Sequence, residues 1–323
     1  MILQAVVLNV LFCCVHSFPI EVVFKKDVKF SDYDIEVDDV RISTLLEKVK
    51  VNDDRAMEEE EDVSISTLLE KANVNVGKNL NEPLVMFGDI AVPTNLRNAD
   101  PCTARGCLWP KGPDGNVYVP YRISNQFSRR ERDFIIRSLD SFSQSTCIRF
   151  TPFDGQRDFV DIQSLSGCFS FVGRRGRAQT VSISRQGCVF QSTIQHEMLH
   201  ALGFNHEQTR SDRDQHVRIL LENVIPGMEH NFRKIQTRNL GTPYDYNSVM
   251  HYGRFAFSRN RQPTIVPIPD PNVAIGRATQ MSPVDILRVN RLYQCSMYNL
   301  QLYTPHFLPI FCLTTCAIIH VYL

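Results

Sequence analysis

The stretch that decides the reading is His196-Glu197-Met198-Leu199-His200-Ala201-Leu202-Gly203-Phe204-Asn205-His206. It satisfies H-E-x-x-H-x-x-G-x-x-H in full. On a helix, His196 and His200 fall at i and i+4, so two imidazoles share one face a turn apart and can meet one ion. Gly203 can adopt the left-handed conformation that ends a helix and turns the chain back, which would deliver His206 as a third ligand. Three neutral histidines leave a fourth position for a water acidified by zinc, and Glu197, beside the first ligand, can take its proton. A lone histidine pair at helical spacing is often incidental; the glycine and the third histidine make this pattern specific. Ile194, Met198, Ala201 and Leu202 would face the core, with a capping box from Ser192 and Gln195 at the helix start.

Working outward, Ser128 and Glu131 form a capping box for a helix of about four turns carrying Ile135, Leu139 and Phe142 on one face and ending near Thr146. Ser282, Pro283 and Asp285 open a last helix through Leu292. Alternating apolar residues predict strands over 116–123, 148–152, 161–165 and 180–184. Strands with helices around them imply a mixed α/β domain.

The 323-residue chain is 43% hydrophobic and 22% charged, which excludes collagen-like, wholly disordered and multi-span membrane classes. Its zero net charge hides two cancelling parts: Phe18 to Arg97 holds 18 acidic and 10 basic residues, and the remainder is positive by the same margin. An acidic segment covering a basic domain is the natural reading, and no Lys/Arg run is dense enough for nucleic acid. Met1 to Ser17 is an apolar run of signal-peptide length without a basic n-region, so secretion is expected, with residues 1–17 removed. Six cysteines, Cys102, Cys107, Cys147, Cys168, Cys188 and Cys295, lie in the body, an even number suited to an oxidising compartment, and spacing leaves their pairing open. No Asn-x-Ser/Thr sequon occurs. DVRISTLLEKVKVN from Asp39 is repeated as DVSISTLLEKANVN from Asp62, at a period of 23 residues. Two copies cannot build a solenoid, so residues 18–97 read as a weakly ordered pro-segment, extended or forming two small helices on a partner surface. Residues 296–323 contain no Asp, Glu, Lys or Arg, and a gene-model artefact is favoured over a lipid-anchor signal or short membrane segment.

The extended zinc motif followed by Glu207, with Ser248-Val249-Met250-His251-Tyr252 downstream, resembles the astacin family of metzincin zinc metalloendopeptidases over roughly Pro83 to Cys295. The resemblance implies a two-lobed protease domain over 98–295. A twisted, mainly parallel sheet and the zinc helix would form one lobe, the Met-turn and last helix the other, with a cleft between. It implies one zinc ion on His196, His200 and His206, with Glu197 and Tyr252 catalytic and Met250 as an apolar base beneath the ligands. Tyr252 would be an extra ligand that swings aside to bind the oxyanion. It assigns Glu207 to a water-linked contact with a new N-terminus, and pairs Cys147 with Cys295, Cys168 with Cys188 and Cys102 with Cys107. The family's F-x-G-D latency motif has a counterpart in Met86-Phe87-Gly88-Asp89, with Met86 where Phe is usual, making Asp89 the zinc ligand of a zymogen. An activating protease would cut after Arg97 and free Asn98. The runs GFNHEQTRSDRDQHVRILLENVIPGMEHNFRK and TPYDYNSVMHYGRFAFSRNRQPTIVPIPDPN, with ISTLLEKANVN, are similar to the family's teleost hatching enzymes, the choriolysins, with a lean to the high choriolytic type. That implies egg-envelope glycoproteins of the zona pellucida type as substrates, secretion, storage in granules and a monomer. The alternatives are a six-cysteine astacin protease of another tissue, or a non-catalytic secreted binding module, which the intact ligand set disfavours.

Overall fold

A computed structural model describes residues 64–74, 76, 83–92 and 106–296. The expected leader, the first repeat, Arg97, Asn98, Cys102 and the tail beyond residue 296 lie outside the described residues. In chain order come α1 (Ile65–Asn73), β1 (Leu84–Met86), β2 (Ile90–Val92), β3 (Val117–Ile123), α2 (Arg129–Asp140), β4 (Ile148–Pro152), β5 (Phe159–Gln163), β6 (Phe169–Phe171), β7 (Ala178–Ser182), α3 (Gln191–Ala201), β8 (Val217–Ile219), β9 (Ile265–Pro267) and α4 (Pro283–Leu292).

Seven strands form one sheet in the order β1-β2-β6-β7-β5-β3-β4. Four of its six pairings are parallel; β1 with β2 and β6 with β7 run antiparallel. In β3, Val117, Val119, Tyr121 and Ile123 are buried while Tyr118 and Arg122 point outward, the period-2 pattern of the sequence. Pro120, which has no N–H to give a ladder, stands just ahead of Tyr121, where pairing with β5 begins. Strand β5 is buried from Phe159 through Ile162, as expected of a parallel strand covered on both faces. Strands β5 and β7 each begin two residues earlier than the alternation predicts, because their register is set by pairing with one another from Phe159 and Ala178 onward.

The capping boxes of α2 and α4 form as expected, Ser128 with Glu131 and Ser282 with Asp285. Helix α2 stops at Asp140 and tightens into a 3-10 turn over Ser141–Gln144, so the single long helix of the sequence reading is two pieces. Helix α3 corrects another expectation. It starts at Gln191 after Phe190, with no side-chain cap. Ser192 is therefore inside the first turn, and Gln195 spends its buried amide elsewhere: Nε2 donates to Ser141 Oγ (2.8 Å) and Oε1 accepts from Met281 N (2.7 Å). Ten of its eleven residues are buried, as befits a helix enclosed by protein on all sides.

Apolar side chains gather in two clusters, one around the large sheet and α3, the other around the β8–β9 pair with Phe232, Tyr244, Tyr252 and Ile275. They are the cores of two lobes. Val249 and Met250 of the Met-turn, and Val289 and Tyr293 at the last helix, belong to the sheet-side cluster, contrary to the expectation that turn and helix fall in the second lobe. The Cys147–Cys295 disulfide ties the end of α4 to the start of β4, and Asp285 binds the turn to α4, accepting from Ser248 Oγ (2.6 Å) and Val249 N (2.9 Å). Cys168 and Cys188 are also bonded, and Cys107 is in a disulfide. Among the described residues, no helix is long and apolar enough to cross a membrane.

Candidate metal centre

Helix α3 aims His196 and His200 inward from consecutive turns. At its end Gly203, with φ +110°, lets the Gly203 and Phe204 N–H groups bond back to His200 and Leu199 carbonyls, and the chain reverses to bring in His206. The three rings lie with centroids 4.7 to 5.2 Å apart. His196 Nδ1–H donates to Val249 O (2.8 Å) and His200 Nδ1–H to Phe204 O (2.7 Å), which fixes the tautomer with the Nε2 lone pair facing the centre.

A carboxylate stands among those lone pairs. Asp89 lies in the turn between β1 and β2, and its oxygens are 3.0 Å from His196 Nε2, 2.9 Å from His206 Nε2 and 3.4 Å from His200 Nε2. All four ligand atoms lie within 4.8 Å of one another. A tetrahedral zinc site with bonds of about 2.0–2.1 Å has ligand atoms separated by about 3.4 Å, so the donors fit one ion. Unsatisfied polar atoms agree: among the described residues His200 Nε2, Asp89 Oδ1 and both Glu197 carboxylate oxygens are buried without hydrogen-bond partners.

Electrostatics suit a ligand set. Burial lowers the His206 imidazole to about 4 and also lowers His200, so both are neutral at physiological pH. Burial opposes ionisation of Asp89, yet the surrounding histidines hold its carboxyl well below the usual range. Burial and the Asp89 charge push Glu197 well up. Burial, with Asp89, Glu70 and Glu197 nearby, keeps Tyr252 a protonated phenol.

Tyr252 packs its ring tilted against His206, centroids 4.5 Å apart, but its hydroxyl donates to the Phe87 carbonyl in the turn that carries Asp89. Met250 is buried in the large cluster, with its carbonyl accepting from Glu207 N (2.9 Å). Glu207 lies away from the four donors and is locked into ion pairs: Arg288 donates to both its oxygens (2.6 and 2.8 Å), and Arg210 Nη1 and Asp245 N donate to Oε1 (3.2 and 2.7 Å). His251 is not part of the cluster; it bonds Tyr244 and the Tyr252 carbonyl, and burial lowers it to about 4.

Sequence reading missed Arg288, Asp285 and Gln208, whose Oε1 accepts from Tyr252 N (3.1 Å). None stands at motif spacing from its partner. The one available signal was Asp285, read only as a helix cap.

The family model of the Astacin peptidases matches residues 107–294. The chain belongs to the astacin family. It is similar to High choriolytic enzyme 1 of Oryzias latipes, 49% identical over 218 residues that cover 67% of this chain and 80% of that protein. Low choriolytic enzyme of the same fish is 48% identical over 213 residues, 65% of this chain and 78% of that protein. The solved structure of High choriolytic enzyme 1, a hatching enzyme zinc-protease, shares 50% identity, covers 62% of this chain and 100% of its own, and superimposes with a TM-score of 0.59. As a member of the family the chain is a zinc metalloendopeptidase with a metzincin-type fold, and His196, His200 and His206 form the cluster able to hold the zinc.

Proposed function

We propose that this astacin is made as a secreted precursor, is kept silent by Asp89, and after cleavage near Arg97 digests egg-envelope glycoproteins at hatching. The observation that carries the latency is the Asp89 carboxylate held at three histidine nitrogens that also suit zinc. The substrate reading rests on the similarity to choriolytic enzymes and on the positive charge of the chain beyond Arg97, suited to an insoluble acidic coat.

His196, His200 and His206 would hold the zinc, which would supply Lewis acidity and lower the pKa of a bound water towards neutrality. Glu197, beside the first ligand, would take a proton from the attacking water and return it to the leaving amide nitrogen. With the 84–92 segment gone, the Tyr252 hydroxyl loses Phe87 O as acceptor and turns its hydrogen to the oxyanion. Met250 packs beneath the ligands. Glu207 Oε2 accepts only from Arg288 among the described residues, so a lone pair remains for a water linked to the freed Asn98 amine. The mature enzyme would span 98–295, be stored in granules and act as a monomer.

The test is proteolysis of isolated egg envelope by the protein cut after Arg97, with and without a zinc chelator, beside casein. Chelator-sensitive digestion of both supports the proposal. Digestion of casein alone removes the hatching role and leaves a protease of another tissue. Digestion of neither points to a non-catalytic binding module.

A further inference from the structure

The two repeats differ at only three of fourteen positions: Arg41, Val49 and Lys50 in the first stand where Ser64, Ala72 and Asn73 stand in the second. The structure shows what two of those positions, Ser64 and Asn73, do. At one end of α1, Ser64 caps the helix by accepting from Thr67 N (3.2 Å) and lies against Gly253, where an added Cβ would meet Ser64 Oγ at 2.8 Å. At the other end, Asn73 brackets the chain on both sides: Nδ2 donates to Gly88 O (2.7 Å) and Cys168 O (2.9 Å), while Oδ1 accepts from Cys168 N (2.7 Å). Beneath Asn73 is Gly167, φ +88°, where a Cβ would run into the Asn73 amide. Each distinguishing polar residue therefore faces a glycine of the protease domain. Between them, Ile65 and Leu69 are buried, Ser66 Oγ accepts from Gly253 N (2.9 Å) and Glu70 accepts from Phe257 N (3.0 Å), contacts the first repeat could also make.

We propose that this seat is a recognition site for a helix of the form Ser-Ile-Ser-x-x-Leu-Glu-x-x-Asn, which takes the second repeat and rejects the first, with Asn73 as the positioning residue that sets where Asp89 arrives. Arginine in place of Ser64 has no acceptor oxygen for the cap and no room over Gly253. Lysine in place of Asn73 offers donors only and leaves Cys168 N–H unanswered. Because Asn73 holds the carbonyl of Gly88, the residue before Asp89, seating the helix fixes the register of the β1–β2 turn against the histidines. The consequence for silencing rests on the latency reading above; the recognition itself does not.

The experiment uses the full, uncut chain. The variant Ser64→Arg/Ala72→Val/Asn73→Lys turns the second repeat into the first. Hydrogen exchange at Cys168 N–H and Gly253 N–H is read beside Ile162 and Met198, whose amides report that the domain is folded. Exchange at the first pair should quicken at least tenfold with the second pair unchanged, and casein hydrolysis should leak from the uncut chain. Adding Arg41→Ser/Val49→Ala/Lys50→Asn to that variant supplies the seat with an upstream helix and should restore slow exchange, since the longer tether costs little. Unchanged exchange in the first variant, or loss that the second set does not restore, overturns the proposal. A silent Asp89→Ala chain would sink the latency reading alone and leave the exchange result standing.

Discussion

Asp89 Oδ2 lies 3.0 Å from His196 Nε2, and both side chains are wholly shut away from solvent. On the proposed latency, that carboxylate stands where the catalytic water would sit. Asp89→Ala in the uncut chain should raise chelator-sensitive casein hydrolysis by a factor of ten or more, equivalent to at least ~1.4 kcal/mol in the silencing equilibrium. The ratio of uncut to cut activity measures it, and a ratio unchanged from the parent would contradict the role.

Glu197 coordinates nothing in the cluster of four donors, so its amide variant should leave metal affinity intact. Glu197→Gln, cut after Arg97, should bind one zinc per chain by metal analysis and lose about 10²–10⁴-fold in kcat. Full turnover would remove Glu197 from the chemistry.

Arg288 and Glu207 form a buried pair that joins α4 to the chain just beyond His206. Arg288→Met leaves the Glu207 charge with Arg210 as its remaining ion-pair partner and should cost about 3–5 kcal/mol in urea denaturation. Pairing it with Glu207→Leu should recover most of that loss, because the uncompensated charge goes as well.

Glu70 gives the docked helix a pH dependence. Burial raises its carboxyl to about 7 against the pull of the Phe257 N–H. The docked state then favours the protonated acid, so its contribution is full below the free value near 4.5 and is lost as pH rises towards 7. Over that window the uncut chain should lose about 3 kcal/mol relative to Glu70→Gln, which keeps the acceptor for Phe257 N–H without the charge. Denaturant midpoints of the two proteins from pH 4.5 to 8 check this, and parallel curves would contradict it.

What was legible in the sequence was local. The zinc helix, the turn at Gly203 and the caps at Ser128 and Ser282 follow from residues within a few positions of one another, and each is in place. Helix α3 lost its expected cap because Gln195 answers Ser141 and Met281, 54 and 86 positions away. The strands over 159–163 and 178–182 moved by two residues because neighbours, not propensity, end a ladder. Within the site, the motif spacing drew attention to Tyr252 and Glu207 but not to their partners. Phe87 O, Arg288 and Gln208 are brought to them only by folding, and the seat of α1 depends on Gly167 and Gly253, which no spacing rule connects to Asn73 or Ser64.

The measurement to make first is casein hydrolysis by the purified chain before and after cleavage at Arg97, with zinc content determined in each and a chelator arm beside both. A zinc endopeptidase held silent by its own Asp89 should carry one zinc in both forms, be inactive uncut, become active on cleavage and lose that activity to the chelator. Activity that survives removal of the metal, or that is equal before and after cleavage, would contradict it.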